Sequence, residues 1–225
     1  MSSAVAFGTN ITALEGAPLH LDENGRRQRA ELISAILLLH DRGAIQFGGS
    51  ANASVRLSEN PDHILVTSRG LPRDISEDDF GIVSLSGDFI GGALGKGVRS
   101  VIQMHTHAYK RPGVGAVIHT HSPYATTFAV AHKPIPAHYE PLLNKGQRVT
   151  IPVSTYGDRN TGEMVGKLDA LLEEHSETRA VLLANHGLLA FHETPTKTAE
   201  LVVSIEETAA LVLRASLLGG SQAPF

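Results

Sequence analysis

Residues 104–124 read MHTHAYKRPGVGAVIHTHSPY, and the triplet His-Thr-His occurs in this stretch twice. Imidazoles bind transition metals, move protons near neutral pH and also pack as half-polar rings, so each copy has several uses open to it. Spacing separates the two. Residues i and i+2 share a face on a strand but point about 200° apart on a helix. The second copy lies in GAVIHTH, which is β-branched and apolar and reads as a buried strand. His119 and His121 would then aim at one point. The first copy lies in SVIQMHTHAYKR, where Val101, Met104, His105 and Ala108 recur at the helical i, i+3, i+4, i+7 spacing. His105 and His107 would therefore diverge, His105 into the fold and His107 toward solvent.

A third ligand is available in LLANHGLLA, where His186 sits at a strand-to-strand break followed by glycine. Three histidines leave at least one coordination position open, which is the pattern of a catalytic site. A His-x-His strand taken alone is equally compatible with two half-buried histidines. His20, His40, His63, His132, His175 and His192 read as ordinary surface or core residues.

The elements that must position these side chains can be read along the chain. Residues 1–24 read as an irregular arm. A helix is expected over Arg27–Arg42, strands in ASVRL and HILVTS, and a loop with a short capped turn in PRDISEDDF, followed by FGIVSLSG. GGALGKG reads as a second glycine-rich patch after GGSANASVR. Pro112 ends the helix of the first triplet. Ser122 and Pro123 are expected to open another helix, as N-cap and first helical residue. RVTIPVSTYG reads as strand, TGEMVGKLDALLEEH as helix with Thr161 as cap, and RAVLLANHGLLAF as strand, turn, strand. Thr194-Pro195 opens a long helix ended by Gly219-Gly220. This interleaving predicts an α/β fold, with helices layered on a central sheet.

At 225 residues the chain reads as a single domain over 1–225, large enough to bury a core. With no cysteine, thiolate metal sites, disulfides and cysteine nucleophiles are excluded, so any metal must be held by His, Asp or Glu. A formal net charge of −4 gives no general attraction for nucleic acid or anionic membrane. No apolar run approaches the ~20 residues needed to span a bilayer. The N-terminus also lacks the basic start and apolar stretch of a secretion signal, so a cytoplasmic location is expected.

RPGVGAVIHTHSPYA, LLANHGLLAF and the closing helix together resemble the class II aldolase/adducin family, over roughly Arg27 to Leu218. The resemblance implies a layered α/β/α fold with a mostly antiparallel sheet. It also implies one divalent metal ion (zinc first, with Mn, Fe or Co as alternatives) on His119, His121 and His186. It implies as well a homotetramer with active sites at subunit borders. Asn52 corresponds to an asparagine that helps to hold a substrate phosphate. His138-Tyr139 matches a pair whose tyrosine reaches a neighbouring site.

Three departures stand out. Val101 occupies the place of the family's acid/base glutamate. Thr67-Ser68-Arg69-Gly70 carries an arginine in a small-residue turn, and Arg99-Ser100 replaces a pair of small hydroxyl residues. Ser68, Arg69, Gly70, Arg99 and Ser100 are thus expected around a substrate carboxylate or phosphate, since a guanidinium fork suits either. Tyr139 and Glu140 are the candidates to move a proton. The expected function is a metal-dependent carbon–carbon lyase acting on a small hydroxy- or oxo-acid or a sugar phosphate. Without the glutamate, decarboxylation is placed slightly ahead of aldol cleavage. A non-haem iron oxygenase and a non-catalytic adducin-like interaction module are the alternatives.

Overall fold

A computed structural model describes residues 14–15, 17–46, 51–95, 102–158 and 162–224. Among the described residues eight strands form one sheet: β1 (Leu14–Glu15), β2 (Asn52–Arg56), β3 (His63–Thr67), β4 (Phe80–Ser84), β5 (Phe89–Leu94), β6 (Ala116–Thr120), β7 (Ala180–Leu183) and β8 (Gly187–His192). Their order is β1-β5-β4-β3-β2-β6-β8-β7, and every neighbouring pair is antiparallel. The helices are α1 (Glu23–Asp41), α2 (Ile102–Ala108), α3 (Pro123–Val130), α4 (Glu140–Asn144), α5 (Glu163–Glu174) and α6 (Pro195–Ala215).

Both faces of the sheet are covered, and the period of two along the strands sorts the side chains. Leu65, Ile82, Ile118, Leu182, Leu188 and Ala190 enter a core shared with α1, α3 and α6. Their sequence neighbours Ile64, Val66, Val83, Val117, Val181, Leu189 and Phe191 enter a second core with α2 and α5. Strands buried on both sides should be mainly apolar rather than alternating, and β7 is wholly so, while β6 and β8 depart from it only at His119, Thr120 and His192. The parity places Asn52, Ser54, His119 and His121 on the α2/α5 face, opposite to Ala53, Val55 and Ile118.

Several expectations need correction. α1 starts at Glu23, four residues ahead of Arg27, because Asp22 caps it by accepting from the Gly25 N–H at 2.6 Å. The arm is also not wholly irregular, since Leu14 and Glu15 pair with β5. Gly91-Gly92-Ala93-Leu94 is strand and not a glycine patch. Gly92 has φ +83°, and a Cβ there would lie 2.5 Å from the Phe80 carbonyl oxygen, so β4 and β5 can meet only at glycine. RVTIPVSTYG forms single bridges, Ile135 to Ile151 and Val153 to Leu182, instead of a strand. Pro152 has no N–H for a ladder; its carbonyl accepts from Leu182 N–H at 2.8 Å. Helix α5 has Gly162 at its N-cap, and the expected cap Thr161 lies outside the described residues.

α3 begins two residues after His121 and is anchored from another helix. The Ser122 hydroxyl donates to the Ala44 carbonyl at 2.8 Å and accepts no N–H from its own helix. Buried Glu206 of α6 instead accepts from the Tyr124 and Ala125 N–H groups at 2.7 and 2.8 Å, taking over the N-terminal capping. Burial pushes the Glu206 carboxyl upward, and the two N–H donors pull against that shift.

Candidate metal centre

β6 delivers His119 from its fourth position and His121 from just beyond its end, while His186 is the last of the three residues between β7 and β8. The three ring centroids stand 4.6 to 5.0 Å apart. One ligand nitrogen from each ring lies within 4.8 Å of the others, and this is the only such histidine or carboxylate cluster among the described residues.

The tautomer of His119 is fixed by its backbone partner. The Leu188 carbonyl can only accept, so Nδ1–H of His119 donates to it at 2.9 Å, leaving a lone pair on Nε2. That Nε2 faces Nε2 of His121 at 3.2 Å. Two ligands on a tetrahedral ion with bonds of about 2.0–2.1 Å have nitrogens about 3.3 Å apart, so the pair is already at chelating distance. Burial holds His119 well below the ordinary imidazole pKa, and His186 and His121 add to the shift. A neutral imidazole is the form that binds metal. The donor set and its spacing fit a divalent ion.

Gly187 makes the approach feasible. A Cβ at this position would lie 2.5 Å from the Thr120 carbonyl oxygen and 2.9 Å from Cδ2 of His121. Asn185 takes the left-handed φ of +56°, which asparagine tolerates better than most residues, and turns the chain so that His186 follows on the trio's side. His132, itself at φ +52°, reaches Asn185 Oδ1 through Nε2 at 2.5 Å, and Asn185 N–H donates to the Ala129 carbonyl at 3.1 Å. His132 thus supports the ligand turn from the end of α3. Nothing in its sequence surroundings marks that role, because the contact spans the gap between α3 and a distant turn.

The first His-Thr-His diverges. His105 is completely buried and bonds to Ser54 and Asn52 of β2. His107 is half-buried and not simply solvent-facing. Its Nδ1 lies 2.5 Å from Asp169 of α5, with Lys110 beside both. Asn52 is paired in register with His119 across β2 and β6, so its amide lies next to the trio.

The other expected site residues are spread around this centre. Ser68 is buried, with its backbone tied to Asp79 and Gly95, and Gly70 is half-buried. Arg69 is exposed, and its fork already grips Asp79 through Nε at 2.6 Å and a terminal nitrogen at 3.0 Å. That pairing raises the arginine and lowers the aspartate. Tyr139 is half-buried at the N-cap of α4, and Glu140 is exposed in its first turn. The neighbouring His138 contacts the Ser221 hydroxyl at 3.0 Å. Val101, Arg99 and Ser100 lie outside the described residues. No helix among the described residues is long and apolar enough to cross a membrane.

A mixed α/β sheet with a three-histidine centre on one strand end and one adjoining turn defines a narrow class of protein. Residues 30–213 match the family described as Class II Aldolase and Adducin N-terminal domain, and the chain belongs to that family. It is 33% identical over 164 residues to the 5-methylthioribulose-1-phosphate/5-deoxyribulose-1-phosphate aldolase of Rhodospirillum rubrum, covering 72% of this chain and 70% of that one. A 3-oxo-tetronate 4-phosphate decarboxylase of Pectobacterium atrosepticum is 28% identical over 197 residues, covering 83% and 84%. Among solved structures, an L-fuculose 1-phosphate aldolase superposes with a TM-score of 0.75 at 27% identity, covering 88% and 90%.

Proposed function

We propose that this protein is a divalent-metal-dependent carbon–carbon lyase acting on a small phosphorylated ketose or oxo-acid. The observation that carries the reading is the convergence of His119, His121 and His186, with the Nε2 lone pair of His119 turned to the trio by the Nδ1–H bond to Leu188. Those three side chains would hold one ion, with zinc as the first candidate and Mn, Fe or Co as alternatives. The ion would act as a Lewis acid toward negative charge developing on a substrate oxygen.

The chain's own residues supply the rest. Asn52, beside His119, offers amide donors to the substrate's phosphate. Ser68, Gly70 and Ser100 are assigned to the same anion by the family resemblance. Arg69 and Arg99 are assigned to a substrate anion, which at Arg69 must compete with Asp79 for the guanidinium fork. Tyr139, from a neighbouring subunit of a homotetramer, and Glu140 are the proton-transfer candidates. A cytoplasmic location goes with this reading.

Aldol cleavage is the first reading, supported by the names of the Rhodospirillum relative and the superposed structure. It breaks a carbon–carbon bond as a hydroxyl gives up its proton and becomes the carbonyl of the released aldehyde. General base assistance to that step is worth roughly 10²–10⁴ in rate. Val101 occupies the place of the residue that family members use for it. Decarboxylation is therefore the second reading, because carbon dioxide leaves without that proton transfer. The Pectobacterium relative supports it.

Metal-loaded protein should be assayed with 5-deoxyribulose 1-phosphate, L-fuculose 1-phosphate and 3-oxo-tetronate 4-phosphate, following aldehyde and carbon dioxide separately. Aldehyde without carbon dioxide is expected. Carbon dioxide alone would move the protein to the second reading. No turnover of any of the three, with or without metal, would contradict the lyase.

A further inference from the structure

The helical His-Thr-His is not needed as a metal ligand, yet His105 sits in a closed chain of hydrogen bonds leading to the site. Tyr109 Oη lies 2.9 Å from Ser54 Oγ, Ser54 Oγ lies 2.7 Å from His105 Nδ1, and His105 Nε2 lies 2.5 Å from Asn52 Oδ1. Ser54 and His105 are 0% exposed, Tyr109 3% and Asn52 5%, so solvent does not compete for these bonds.

The Asn52 end of the chain sets its direction. Asn52 Oδ1 is a carbonyl oxygen and only accepts, so His105 must carry its proton on Nε2. Nδ1 is then a lone pair, which makes the Ser54 hydroxyl donate to it. The Ser54 oxygen in turn accepts the Tyr109 proton. The Ser54 proton is spent on Nδ1, so across the 2.9 Å contact the phenol is the donor. Burial holds the His105 ring at a pKa of about 3, so it stays neutral and keeps one donor and one acceptor. Arg56 closes the outer end, with its guanidinium 4.9 Å from the Tyr109 ring centroid and a bond to the Tyr109 carbonyl at 2.7 Å.

We propose that Tyr109, Ser54 and His105 form a one-way hydrogen-bond relay that locks the Asn52 carboxamide with its oxygen inward, so that its NH2 serves the site as an obligate donor to a bound phosphate or carboxylate. Asn52 faces His119 in register across the two strands, so the locked end of the relay abuts the metal trio. A freely rotating carboxamide can present either an acceptor or a donor. An anionic group needs the donor, and the relay removes the wrong rotamer before the ligand arrives. Ser54, His105 and Tyr109 are positioning residues, and only Asn52 would touch the ligand. The assignment rests on the reading of Asn52 given above, as the group that meets the substrate's phosphate.

Two measurements on the full chain test it. In protein with ¹⁵N-labelled histidine, the His105 ring should be in the Nε2–H tautomer at pH 7, with or without zinc; an Nδ1–H tautomer would overturn the relay. Ser54→Ala should weaken inorganic phosphate binding and raise KM for a phosphorylated substrate about tenfold, the effect of one misplaced hydrogen bond, with kcat changed far less. Zinc stoichiometry at the trio should be unchanged. Tyr109→Phe, which only removes the last donor, should give a smaller shift in the same direction and serves if Ser54→Ala does not fold. Folded variants whose phosphate affinity and KM equal the wild type would overturn the proposal. If the wild type proves to bind no metal and cleave no substrate, the lyase reading falls, while the tautomer and the phosphate titration still decide the relay.

Discussion

The Leu188 carbonyl receives the Nδ1–H of His119 at 2.9 Å, and this bond ties the ligand on β6 to the strand that follows the His186 turn. The register of β6 against β8, with His119 opposite Leu189 and Thr120 opposite Leu188, therefore sets both the tautomer of one ligand and the placement of another. The candidate metal centre is a property of strand pairing as much as of the three rings.

Gly187→Ala tests that coupling. A methyl group at this position meets the Thr120 carbonyl oxygen and the His121 ring, so β8 must move away from β6 or the ring must turn. The expected cost is about 1–3 kcal/mol in chemical unfolding of the metal-free protein, with zinc affinity reduced at least tenfold. Wild-type zinc affinity in a folded Gly187→Ala protein would show that the close approach is not needed.

The neutral, buried His105 makes stability depend on pH. Its folded pKa of about 3 lies below the ordinary 6.5, so the unfolded chain takes up a proton that the folded chain refuses. The associated stability is intact above about pH 6.5 and is lost as pH falls toward 3, by up to about 1.4 kcal/mol per pH unit. His119 adds to the same trend in the absence of metal. Urea denaturation of metal-free protein between pH 7 and 5 should show a steeper loss in the wild type than in His105→Gln. Parallel curves would contradict the assignment.

His107→Ala separates the two triplets. His107 binds Asp169 and Lys110 at a half-buried contact between α2 and α5, so its loss should cost about 1 kcal/mol or less and leave zinc binding unchanged. Isothermal titration with zinc, alongside a denaturation curve, reads both effects. A loss of zinc binding equal to that of His119→Ala would contradict the strand-versus-helix distinction.

Much of this was legible before any coordinates because periodicity is local. Two residues apart on β6 means one face, and on α2 it means divergence, so the choice between the two triplets needed no tertiary knowledge. His186 was marked by its Asn-His-Gly turn. Features that depend on pairing distant segments were hidden. Asp22, the α1 cap, sits in a stretch whose glycine and proline content points to irregular structure. Pro152 turned a β-rich segment into isolated bridges. The partners of His105, the support from His132 and the Glu206 cap exist only once β2, α2, α3 and α6 are packed. Two polar residues 53 positions apart, such as Asn52 and His105, carry no local signal of their contact.

Zinc titration of the metal-free protein, with stoichiometry measured by mass spectrometry, is the most direct test of the three-histidine centre. The wild type should bind one ion per chain and show a raised Tm. His119→Ala, His121→Ala and His186→Ala should each lose at least a hundredfold in affinity while remaining folded. A wild type that binds no zinc, manganese, iron or cobalt, or single variants that bind as tightly as the wild type, would contradict the account.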